Sequence, residues 1–237
     1  MRCDSADEPA GGGNSPLLNR LPDAERERLL AEARRVRLAT GTILVQQDDP
    51  APELFIVESG HLRLTLRSGS GGESTVDIVG AGDTVCETAI LGGEPAPVTA
   101  QAIEETSVLA VDGARLRQEL LARFDLMMGM LGDMSARLRG LLGQLTDLKS
   151  KSTAQRLGMF LLSLCATSCG AADVTLPYGK RVVAEKLGMK PETLSRAFAR
   201  LRPLGVRGGP AETTVHIDDV AELAEYCGVV LDDDREA

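Results

Sequence analysis

The segment GKRVVAEKLGMKPETLSRAFARL, Gly179 to Leu201, decides how this chain is read. Ala184 lies four residues before Gly188, and Leu194 six after it. Two helices that meet at a sharp turn need a small residue where they touch and a glycine where φ turns positive. They also need an apolar residue to lock the second helix inward. All three are present. Val182, Val183, Leu187, Leu194, Phe198 and Leu201 supply a core face. Pro191 suits the first position of the second helix, where its missing N–H would have no partner anyway. The segment predicts a helix-turn-helix.

Glu192, Ser195 and Arg196 stand at i, i+3 and i+4 on the second helix, so they share one face. The N-terminal turns of such a helix can meet base edges in the major groove. There a carboxylate accepts from cytosine N4, a guanidinium forks onto guanine, and a hydroxyl adapts to either. The plain alternative is that Glu192 is a first-turn charge favoured by the helix dipole. Lys180, Arg181, Lys190 and Arg200 read as phosphate contacts that set register on double-stranded DNA. Arg202 reads as solvated.

Charge supports the same reading. The chain has 237 residues and a net charge of −9, which by itself argues against nucleic acid. Between Leu176 and Gly209, however, eight cations face two carboxylates, a net of +6 that leaves −15 for the remainder. A basic island in an acidic chain is the footprint of a DNA-binding module joined to another domain. A solvated pair of charged helices is the competing account.

The bulk composition excludes other classes. Hydrophobic residues make up 43 % of the chain, an ordinary globular value, and no apolar run approaches a membrane span. Aromatics stand at 3 % with no tryptophan, too few for platforms that stack single strands. The five cysteines (Cys3, Cys86, Cys165, Cys169, Cys227) are odd in number and scattered, so no disulfide framework is implied. The opening MRCDSADEPAGGGNSP reads as a flexible tail rather than a secretory signal. A cytoplasmic protein with reduced thiols is expected.

The chain is organised in blocks. Pro22 to Leu38 has helical spacing. From Thr40 to Val111, GTILVQQ, ELFIVES, HLRLTLR, STVDIVG, DTVCETAIL and SVLAVD are strand-like runs closed by turn residues, a β-roll or barrel. Ser68 to Gly72 reads as a hairpin tip. Met127, Leu131, Met134, Leu138, Leu141, Leu145 and Leu148 then step by 4 and 3, an a/d seam. It fits a homodimer, or an amphipathic helix packed on the β domain. Gly129, Gly132, Gly140 and Gly143 on the same helix suggest close approach of another backbone or group. Lys151 to Gly170 reads as a further helix, VRGGPAETTVHI as a hairpin, and an acidic helix follows from about Asp218. The expected fold class is α+β. Its parts are a tail over 1–17, a β-roll sensor domain over 18–122 and a dimerisation helix over 123–149. A winged helix-turn-helix over 150–231 and an acidic tail over 232–237 complete it.

Over roughly Leu21 to Gly228 these parts resemble the Crp/Fnr family of bacterial transcription regulators. The E-x-x-S-R pattern of its Fnr-like branch is present as Glu192, Ser195 and Arg196, which implies a palindrome with TTGAT-type half-sites. TAQA (Thr99 to Ala102), LPYGKRVVAEKLGMKPETLSR and VHIDD most resemble the nitric-oxide-responsive denitrification regulators. The resemblance implies a homodimer, RNA polymerase as a further partner, and a cyclic-nucleotide-binding-like β-roll that senses a small signal.

The signal is the open part. Where cyclic nucleotide sensors carry Gly-Glu and Arg-Ser or Arg-Thr, this chain has Cys86-Glu87 and Val98-Thr99. Without the arginine fork a phosphate loses its main partner, so cyclic AMP is not expected. An iron–sulfur cluster needs four thiolates. Only Cys3 lies near the N-terminus, and Cys165 and Cys169 read as small core residues of the Lys151 to Cys169 helix. Haem b remains, as the resemblance implies for gas sensors. Cys86 stands where the carbon-monoxide sensor has its haem thiolate, while the histidine that replaces that ligand corresponds to Thr88. Cys86 reads equally as buried filler. Cys86, Glu87, Thr99, Met127 and Met130 form the candidate effector pocket; a metal is not assignable. His61, next to a turn, reads as exposed, and His216 belongs to the wing. A regulator without an effector, or one answering to thiol oxidation, is the alternative. A metal-binding β-roll enzyme is disfavoured, because two distant histidines make a poor ligand set or catalytic pair.

Overall fold

The computed structural model describes residues 31–67, 71–208 and 213–229. The chain divides into two units, residues 1–138 and 139–237. The predicted tails and the start of the Pro22 helix lie outside the described residues.

In the first unit eight strands form two antiparallel four-stranded sheets. They are β1 (Arg34–Leu38), β2 (Ile43–Val45), β3 (Glu53–Ser59), β4 (Leu62–Arg67), β5 (Glu73–Val79), β6 (Thr84–Val85), β7 (Thr99–Ala102) and β8 (Thr106–Asp112). One sheet runs β1-β8-β3-β6 and the other β2-β7-β4-β5. Side chains alternate across a strand, so β3 and β8 serve two cores. Phe55, Val57, Val108 and Ala110 join Leu62, Leu64 and Ala100. Leu54, Ile56, Leu109 and Val111 face the other way, under α2 (Gly113–Ala122) and the start of α3 (Phe124–Ser150). Asp112 caps α2 by accepting from the Arg115 amide at 2.8 Å.

Three expectations change here. Arg34–Leu38 is a strand, not the end of a helix: Val36 and Leu38 are buried in alternation with two arginines, paired with Thr106 to Ala110. That pairing overrides the helical spacing. The DTVCETAIL run is a strand only as far as Val85. Cys86 takes φ +76°, and Glu87–Gly92 is a short helix, α1. His61 is half-buried rather than exposed, with Nδ1 2.5 Å from Glu104 Oε1. The hairpin expected at Ser68 to Gly72 is consistent with the pairing of Arg67 and Glu73, though 68–70 lie outside the described residues.

The second unit holds α4 (Thr153–Ser163), β9 (Ala172–Thr175), α5 (Lys180–Lys186) and α6 (Pro191–Leu201). A 3-10 turn (Arg202–Leu204), β10 (Val206–Arg207), β11 (Thr214–Ile217) and α7 (Val220–Cys227) follow. Ser152 and Gln155 close a capping box on α4. This helix stops at Ser163, well short of Gly170. Thr167 bonds locally to the Cys169 amide and carbonyl, an alternative to helical bonding. Cys165 is therefore buried beyond the helix and Cys169 is exposed, so the two are not a shared core pair. The sheet runs β10-β11-β9, and its core joins Leu157, Leu161, Val183, Leu194, Phe198 and Leu201.

Candidate nucleic-acid interface and sensor site

The two helices of the quoted segment meet as their residues require. Val183 and Ala184 are fully buried at the contact, and Gly188 turns the chain at φ +61°. The Met189 amide returns to the Ala184 carbonyl at 2.9 Å. Lys190 is extended ahead of α6, and Pro191 opens the helix. Leu194, Ala197, Phe198 and Leu201 are buried on one side. Glu192, Ser195, Arg196 and Arg200 are exposed on the other, with Lys190 exposed just before. Ser195 donates to the Pro191 carbonyl at 3.1 Å, which parks its hydroxyl on the helix itself.

The remaining cations differ in freedom. Arg181 is 84 % exposed, with Glu185 3.6 Å away one turn on. The Lys180 ammonium sits 4.9 Å from the Phe198 ring centroid, a cation–π contact that draws it toward the core. In the wing, Arg207 pairs with Asp218. His216 stands between Asp173 at 2.7 Å and Asp218 at 3.1 Å, binding the strands at its base. The wing tip, 209–212, lies outside the described residues. One residue escaped the sequence reading. Arg156 of α4 donates to the Leu187 carbonyl at 2.7 Å, and no local motif signals so distant a partner.

On α3, Leu126 and Met130 are buried in the roll core, and Met127 and Met134 pack partly against it. The apolar side chains left exposed are Phe124, Met128, Leu131, Leu138, Leu142, Leu145 and Leu148. Met127 and Met134 of the expected seam are thus taken up by the roll. The exposed positions from 124 to 145 keep the 4 and 3 stepping, with Ser135 in the one polar place. A Cβ at Gly132, Gly140 or Gly143 would meet nothing within 4 Å among the described residues.

The expected effector residues do not all converge. Cys86 and Glu87 adjoin, but Glu87 Oε1 already accepts from the Thr84 hydroxyl at 2.5 Å and from Arg137 Nη1 at 3.0 Å. The Thr99 hydroxyl accepts from the Gln47 amide at 3.0 Å. Cys86 lies in the inter-sheet core, whereas Met127 and Met130 belong to the cluster under the helices. Burial, then the neighbouring Glu87 charge, push the Cys86 thiol up to about 12, so it holds its proton. Thr88 is exposed. Among the described residues no group of three or more His, Cys, Asp or Glu could hold a metal ion. No described helix is long and apolar enough to cross a membrane.

Residues 35–123 match the cyclic nucleotide-binding domain family, and residues 155–226 match the Crp-like helix-turn-helix domain family. A crystal structure from Ruegeria pomeroyi, of a candidate cyclic nucleotide binding protein, is 33 % identical. It covers 92 % of this chain and 95 % of its own, at a TM-score of 0.64. The transcriptional activator protein FnrA of Stutzerimonas stutzeri is 28 % identical over 199 residues, 82 % of this chain and 81 % of its own. FixK2 of Bradyrhizobium japonicum shares the fold at a TM-score of 0.70 and 22 % identity, over 81 % of this chain and 96 % of its own.

Proposed function

This chain belongs to the Crp/Fnr family of DNA-binding transcription regulators, and from that premise we propose that it reads an inverted TTGAT-type repeat as a homodimer under control of a signal met in the β-roll. It is a regulator and not an enzyme. The observation that carries the operator reading is the exposed face of α6, where Glu192, Ser195 and Arg196 stand opposite a fully buried stripe. Arg196 suits the guanine of the half-site and Glu192 the cytosine opposite it. Lys190, Arg200 and Arg181 suit phosphates, and Lys180 must first leave the Phe198 ring.

Fluorescence anisotropy at fixed salt tests this. Wild type should prefer a duplex carrying the inverted TTGAT repeat over a scrambled one. Glu192→Ala should lose about 1–3 kcal/mol of discrimination at the G·C pair. Arg200→Ala should weaken all duplexes alike and lower the salt slope by about 0.9. Equal binding of every duplex by wild type and Glu192→Ala would sink the operator reading.

The resemblance also pointed to nitric oxide or another diatomic gas carried on haem b. The residues named for it do not fit. Cys86 is buried in the inter-sheet core, and Met127 and Met130 pack in another cluster. Its burial also makes Cys86 a poor redox sensor. The denitrification branch keeps the support of its motifs alone. Within this reading the signal is placed at Glu87: an effector donor that competes with Arg137 for this carboxylate would pull on α3. Only such differential affinity can shift the DNA-competent population.

A further inference from the structure

The turn between α5 and α6 is held from outside the helix pair. The last carbonyls of a helix lack partners within it, and Leu187, the C-cap of α5, presents one where the chain must turn. Arg156 Nη1 donates to that carbonyl at 2.7 Å. A guanidinium donor makes this a charge-assisted bond, the stronger kind. The cost is plain. Arg156 Nε is buried without an acceptor among the described residues, and burial lowers the guanidinium pKa while Asp147 on α3 opposes that. An apolar side chain would fill the space without this penalty.

The end of α3 reaches the same turn. A Cβ placed on Gly188 would stand 3.2 Å from Leu148 Cδ2 and 3.8 Å from Arg156 Nη1. The last turn of α3, the guanidinium and the turn ahead of α6 therefore touch as one group.

We propose that Arg156 is a positioning residue for DNA reading: its bond to the Leu187 carbonyl sets how α6 is presented, and with Leu148 it carries movement at the end of α3 into that turn. The proposal rests on α6 as the reading helix, not on which bases it reads. Packed contacts of this kind have discrete arrangements and transmit displacement rather than absorb it.

Amide exchange and DNA titration of the full chain test it in wild type, Arg156→Met, Arg156→Lys and Leu148→Ala. Met keeps the stem and Lys keeps a donor. In Arg156→Met the Gly188 and Met189 amides should exchange about ten- to a hundredfold faster, the range for a lost hydrogen bond to a charged group. Amides of Leu157 and Val183 should hold. Affinity for the inverted TTGAT duplex should fall with the exchange change, while affinity for a scrambled duplex at matched salt holds. Arg156→Lys should recover part of both, and Leu148→Ala should speed the same two amides. Unchanged exchange at Gly188 and Met189 in both arginine variants overturns the proposal, as does equal loss on both duplexes. Should Arg156→Met fail to fold, Leu148→Ala reads the same amides, and no change there is equally decisive. A wild type with no preference for the TTGAT duplex defeats the operator reading alone, because the exchange is measured without DNA.

Discussion

Arg137 of the long helix donates from one nitrogen to both the Glu87 carboxylate and the Thr84 carbonyl, each at 3.0 Å. One side chain thus joins the β6–α1 corner of the roll to α3, across fifty residues of sequence. The pair is partly exposed, with 36 % and 17 % of the two side chains accessible. Screening therefore keeps the contribution to about 1 kcal/mol. We expect Arg137→Met and Glu87→Gln each to lower the urea midpoint modestly. Their double mutant should lose little more than either alone, a coupling of about 1 kcal/mol. Additive losses would mean that the two side chains do not act together.

Cys86 carries the backbone strain at this corner. Its φ of +76° lies in the left-handed region, which costs a residue with a Cβ about 1–2 kcal/mol. Replacement by glycine and by alanine both remove the thiol, but only glycine removes the strain. Cys86→Gly should therefore unfold at higher denaturant than Cys86→Ala, by about 1 kcal/mol. The reverse order would show that the strain is relieved elsewhere.

The titration of buried groups sets the pH limits of the fold. Burial raises the Glu58 carboxyl, but bonds from Arg35 and Ser107 outweigh it, and the net shift is downward. A carboxyl lowered in the folded state stabilises it above the unfolded value of 4.5, and that stability drains away as pH falls through the folded value. Thiols act at the other limb. Cys86 is raised to about 12 and Cys227 to about 11, both by burial first, from 9.0. Their contribution is whole below pH 9.0 and is lost as pH rises toward 11 and 12. Urea midpoints against pH should fall at both ends. Glu58→Gln should flatten the acid limb, and Cys227→Ala part of the alkaline one; limbs that persist in both variants would refute these assignments.

The helix-turn-helix was legible because its constraints are local. Ala184, Gly188, Pro191 and Leu194 sit within eleven residues, and each is required by backbone or contact geometry. The roll was legible as turn-punctuated strands, save where tertiary pairing decides. RRVRL at Arg34–Leu38 suits a helix until β8 supplies its partner. Cys86 looked like a strand residue because nothing in the sequence announces a positive φ at a cysteine. Arg156 and its carbonyl lie 31 residues apart, and a backbone carbonyl leaves no mark in a sequence. Of the predicted seam, Leu131, Leu138, Leu145 and Leu148 are exposed while Met127 and Met134 lean on the roll, since periodicity cannot fix the phase of the stripe that the roll covers.

That phase yields the last prediction. Two stripes of α3 step by 4 and 3. Met127 and Met134 lean on the roll core, while Phe124, Met128, Leu131, Leu138, Leu142 and Leu145 remain exposed. An apolar stripe of this length is costly in water, and a second copy of the same helix would cover it by knobs-into-holes packing. Leu142→Glu changes an exposed side chain, so it should leave the thermal unfolding of the separated chain nearly unaltered. Across a dimer seam it sets like charges together, and sedimentation should show a monomer where wild type is a dimer. Met134→Glu should do the opposite, lowering stability by burying a charge against the roll while retaining association. A Leu142→Glu protein that still sediments as a dimer would place the partner's helix on the other stripe.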